Sequence, residues 1–101
     1  MHWFAWFDTR AAEAYAAEVV VEFCRIHAAA PGSDAKRARQ AERYDRLVRD
    51  AARFAARERL NFYQRSKLLH AIEWGLAARS VDPEAASGLV RALVLARWRV
   101  G

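Results

Sequence analysis

Apolar residues return every three or four positions along four stretches of the chain, separated by short polar breaks, and no period-2 run appears. That spacing predicts four helices and no sheet. The first segment covers residues 8–29, with Asp8 as its cap, Phe7 stapled onto Ala12, and Pro31-Gly32 as the breaker. The second starts at Asp34 or Ala35 and runs through 35–59. The third covers 61–79, where Asn61-x-x-Gln64 forms a capping pair. The fourth covers 82–98, with Asp82 as cap, Pro83 at its first position and Glu84 in its first turn. The short link between the last two predicts an antiparallel hairpin.

Projected at about 100° per residue, the second segment has one apolar stripe: Ala41, Tyr44, Leu47, Val48, Ala51, Phe54 and Ala55. The others carry more apolar surface than one core needs. The first has a core stripe of Ala12, Tyr15, Ala16, Val19, Phe23 and Ile26, with a spare side at Ala17, Val20, Val21 and Cys24. In the third, Phe62, Leu69, Ile72 and Leu76 are expected in the core, while Tyr63, Lys67, His70 and Trp74 line another side at i, i+4, i+7 and i+11. The fourth packs Leu89, Val90, Leu93 and Ala96, with Leu95 and Trp98 pointing away. Gly75 and Gly88 fall inside helical segments and predict close helix crossings. The spare faces predict a second buried surface, most simply a homodimer interface. Its candidate residues are Tyr63, Lys67, His70, Trp74, Val21, Cys24, Leu95 and Trp98.

Ahead of the first helix stands MHWFAWF, with Trp3, Phe4, Trp6 and Phe7. Its apolar run ends at Asp8 and has no basic leader, so it does not read as a signal peptide. It reads as a packing arm over one of the spare faces, within the subunit or across a dimer, rather than as a membrane tag.

At 101 residues, with four Gly and two Pro, the composition fits a single helical domain, 1–101. Ala supplies 23 of the apolar positions, so burial depends on the aromatics and aliphatics. No apolar run reaches the ~20 residues of a membrane span. Cys24 is the only cysteine, which points to a reducing, cytoplasmic setting.

The net charge of +5 is uneven: −3 over residues 1–34, +5 over 35–60 and +3 over 61–101. Arg39, Arg43, Arg46, Arg53 and Arg57 share one face of the second segment, long enough to follow several phosphates. Nucleic-acid binding is therefore the alternative function. Against it, Glu42 and Asp50 lie in the same arc, Glu42–Arg46 and Asp45–Arg49 are set to pair at i,i+4, and no aromatic there is left to stack on bases.

Candidate chemistry is thin. Cys24-x-x-His27 offers half a metal site or a thiolate–imidazole pair, but no further ligands or oxyanion cradle accompany it. His70 with Glu73 has nothing converging on it. A helical mutase of the chorismate mutase type would need inward-pointing Arg, whereas these Arg residues face away from the apolar stripe. No catalytic residue, metal or cofactor is assigned.

The stretch NFYQRSKLLHAIEWGL, followed by a capped turn and a Leu/Val-rich last helix, resembles small uncharacterised all-helical proteins of Gram-negative bacteria. Their openings likewise pair aromatics ahead of an Ala- and Glu-rich helix. The resemblance implies an all-α fold and carries no activity. The expectation is an all-α, four-helix bundle-like domain with an aromatic arm, acting as a non-enzymatic, homodimeric protein-interaction or structural module.

Overall fold

The computed structural model describes residues 6–28 and 32–100, the last four as helix backbone only. Among the described residues the chain forms α1 (Arg10–Ala28), α2 (Asp34–Arg57), α3 (Phe62–Ala78) and α4 (Pro83–Val100), with no strand. The all-α expectation holds, and each predicted segment corresponds to one helix. Trp3, Phe4 and the side chain of Trp98 lie outside the described residues.

Local chemistry fixes most helix ends. Ser33 caps α2 by accepting from the Lys36 amide. Asn61 and Gln64 form a complete capping box at the start of α3, and Asp82 accepts from the Ala85 amide at the start of α4. At α1 the structure differs. The helix begins at Arg10, and Asp8 stands one residue too early to cap it; its carboxylate instead accepts from the Arg10 amide and side chain. The Phe7 ring is turned to Trp6 and Tyr63.

The ends of α2 and α3 use the same device. Leu60 N–H donates to the Ala55 carbonyl and Arg59 N–H to that of Ala56; Val81 and Ser80 make the equivalent bonds to Leu76 and Ala77. These are Schellman motifs, with an apolar residue tucked behind the turn. They place Arg59 at φ 52° and Ser80 at φ 59°, in the left-handed region that glycine occupies without steric cost. This is why α2 stops at Arg57 rather than at residue 59.

The helices contact one another in a ring: α1 on α3, α3 on α4, α4 on α2 and α2 on α1, with the α1–α3 face the most extensive. Phe23, Val19, Ile72, Leu76 and Leu89 are fully buried at its centre. Tyr15 stacks on Phe54 across α1 and α2 with centroids 4.0 Å apart, and Gln40 donates to the Ile26 carbonyl at 2.7 Å, tying α2 to the last turn of α1.

Three expectations about faces are corrected. Phe62 is 74% exposed, because the buried face of α3 runs through Leu68, Ile72 and Leu76, which rotates the helix's first residue off it. Val20 and Cys24 are not a spare side of α1: Val20 is buried against Gly75 of α3, and Cys24 packs on the core. Gly75 marks a close crossing as expected, since a Cβ there would lie 2.7 Å from Val20 Cγ2, but Gly88 has open space around it.

Two glycine substitutions separate these environments. Gly75→Ala gains about 1 kcal/mol of helix propensity but drives a methyl into the stiff Val20 side chain, and overpacking of about 1–3 kcal/mol gives a net loss. Gly88→Ala meets nothing and stabilises by about 0.5–1 kcal/mol. Urea midpoints that move in opposite directions check this. At the joints, Arg59→Gly and Ser80→Gly relieve the left-handed strain, and each is expected to raise the melting temperature by a few degrees.

Candidate interaction surface

The outward side of α3 is the site the sequence pointed to. With Leu68, Ile72 and Leu76 turned inward, Tyr63, Lys67, His70 and Trp74 fall on the opposite side of the helix. Trp74 is 73% exposed, Lys67 and His70 are exposed, and Tyr63 is half-buried. His70 Nδ1 lies 3.8 Å from the Glu73 carboxylate.

What covers Tyr63 is the described part of the aromatic arm. Trp6 stacks on its ring at 5.9 Å and Phe7 meets it edge-on at 5.4 Å, while Trp6 and Phe7 contact each other at 5.1 Å. Two side-chain amides from the α3 capping box hold the arm down. Asn61 Nδ2 donates to the Trp6 carbonyl and Gln64 Nε2 to that of Asp8, both at 2.9 Å. One capping box thus starts a helix and fastens the arm to it. At the arm's base, the hydrogen bond from the Arg10 guanidinium, reinforced by the Arg10 amide, lowers the Asp8 carboxyl to a pKa of about 2. The arm covers little of its own apolar surface: Trp6 stays 45% and Phe7 49% exposed, beside the exposed Phe62. Phe62 is the surface residue that periodicity missed, having assigned it to the core.

The remaining candidates lie elsewhere. Val21 sits with Ala17 on the rim of a groove between α1 and α2, beside Glu18, Glu22 and Asp50. The Tyr15 hydroxyl there is pushed above its ordinary pKa by burial, then by Asp50 and Glu18. Cys24 is half-buried and His27, exposed, lays its ring against Phe23 at 4.3 Å. Leu95, 56% exposed, closes a groove of about 570 Å³ between α2 and α4 with Tyr44, Val48, Ala52, Arg49 and Arg53. Sequence periodicity identified Leu95, but the groove depends on α4 lying beside α2, which no single-helix projection shows. Val21, Leu95 and the α3 stripe therefore belong to three surfaces, not one.

The Arg face of α2 is exposed at Arg39, Arg43, Arg46, Arg53 and Arg57, but its ion pairs differ from those expected. Arg43 reaches Glu22 of α1 at 3.2 Å, and Glu22 also holds Arg25 at 2.9 Å. Arg53 lies 3.9 Å from Asp50 and Arg57 lies 3.6 Å from Glu58, whereas Glu42–Arg46 and Asp45–Arg49 do not pair. Each such exposed pair contributes little. Together they bring acids from α1 and α2 up against the basic stripe.

Comparison of the chain with known protein families, with curated proteins and with solved structures finds no match. No helix among the described residues is long and apolar enough to cross a membrane.

Replacing Trp6 and Phe7 together by Ala is expected to cost about 1–2 kcal/mol, from two half-buried rings and their contacts with Tyr63. Chemical denaturation reads it, and an unchanged midpoint would show that the arm contributes no packing.

Proposed function

We propose that this chain is a non-enzymatic protein-interaction or structural module that works as a homodimer. The observation that carries this reading is the set of large apolar side chains left outside the core. Trp6, Phe7, Phe62, Trp74 and Leu95 are all exposed, and the first four are aromatic. Aromatics are enriched at protein interfaces because a rigid ring supplies large contact area at small entropic cost.

The subunit's dimensions agree. Its accessible surface is 7093 Å², about a fifth above the roughly 5,800 Å² of a compact monomer of this mass. Its radius of gyration is 14.3 Å, against about 12.7 Å for a compact chain of this length. Association would bury what folding alone leaves open. The lone thiol at Cys24 fits a reducing, cytoplasmic setting. Nucleic-acid binding through α2 draws less support, because Glu22 and Asp50 already face Arg43 and Arg53.

Sedimentation equilibrium of the full chain at high micromolar concentration should return a mass near twice 11.5 kDa. A monomer throughout would overturn the dimer reading.

A further inference from the structure

The α3 stripe has an internal symmetry. Tyr63, Lys67, His70 and Trp74 are spaced 4, 3 and 4, so the pattern reads the same from either end, about a midpoint between positions 68 and 69. On the helix surface that midpoint lies between Lys67 and His70, directly opposite the buried face. A two-fold axis through it would set a second α3 antiparallel to the first. Tyr63 would then stand level with the second copy's Trp74, and Lys67 level with its His70. This is what a two-fold contact requires, since each residue must find its partner on the same patch.

The ends of the stripe are chemically complementary as well. One carries Tyr63 already packed with Trp6 and Phe7, each of which keeps close to half of its surface exposed, with the exposed Phe62 beside them. The other carries Trp74, which is 73% exposed. Rings of this kind bury 150–250 Å² each when covered, so Trp74, Phe62 and the open parts of Trp6 and Phe7 supply a large share of the roughly 800 Å² per partner in a standard interface. Among the described residues, neither of the other two grooves holds an aromatic cluster matched to an isolated exposed ring elsewhere on its own surface.

We propose that the outer face of α3 is a two-fold contact between antiparallel copies of this chain, in which the Trp74 of each copy closes over the Trp6–Phe7–Tyr63 cluster of the other. The proposal deepens the homodimer reading and rests on it. The arm then acquires a definite role, because, anchored by Asn61 and Gln64, it widens Tyr63 into an aromatic floor for a neighbouring Trp74.

The test compares the wild-type chain with Trp74→Ala and Leu95→Ala by sedimentation equilibrium, with circular dichroism confirming that both variants keep their helices. Both positions are exposed within the subunit, so neither change opens the core. The expected result is a dimer for the wild type and for Leu95→Ala. Trp74→Ala, lost twice per dimer, should raise the dissociation constant at least ~30-fold. A dimer unchanged by Trp74→Ala but broken by Leu95→Ala would overturn the α3 contact and leave the homodimer standing, through the α2/α4 groove. A monomeric wild type would overturn both. Orientation is read separately with spin labels at Glu73→Cys or Ala78→Cys in a Cys24→Ala background. Antiparallel α3 helices give axial separations of ~13 Å and ~28 Å for the two sites. Equal separations would mean a parallel pair and would overturn the proposal.

Discussion

The architecture depends on one close approach, that of α3 to α1 at Gly75. A residue with a Cβ would meet Val20 at 2.7 Å, so glycine lets the two backbones come nearer than ordinary side chains permit. Phe23 and Val19 of α1 and Ile72 and Leu76 of α3 are, with Leu89 of α4, the largest fully buried side chains among the described residues. The close approach also fixes the rotation of α3 about its own axis. Once Leu68, Ile72 and Leu76 face inward, the side carrying Tyr63, Lys67, His70 and Trp74 has no choice but to face out. The candidate surface is therefore set by a contact on the far side of the helix that bears it.

Much of this was legible in the sequence, because the signals were local. The Asn61–Gln64 box, the Asp82-Pro83 start and the apolar stripe of α2 each depend on residues within a few positions of one another. The α3 stripe was legible for the same reason, as spacing along one helix. The failures share a different cause. Phe62 and Leu68 exchange roles under a modest rotation of α3, and nothing within α3 alone sets that rotation. Val20 and Cys24 resembled a second surface because periodicity cannot tell a face covered by a distant helix from one left open. The Arg59 and Ser80 turns were hidden because both hold non-glycine residues in a conformation that sequence reading associates with glycine.

The electrostatics follow the same division. The acidic first third and the basic second third of the chain are brought together as α1 and α2, so part of the charge asymmetry is met within the subunit, through the pair of Glu22 with Arg43. Lys67 and His70 sit between aromatic ends, giving a surface with polar groups at its middle and rings at its margins. Such an arrangement favours a partner that matches it in register over one that offers charge alone.

The twin joints after α2 and α3 have a consequence for how the chain reaches this state. Each is closed by hydrogen bonds spanning five residues or fewer, so the connections from α2 through α4 require little loop closure. The fastenings that span long stretches of sequence are α1 onto α3, between residues 55 positions apart such as Val20 and Gly75, and α4 onto α2. The entropic cost of topology is thus concentrated in these two dockings rather than in the joints between consecutive helices.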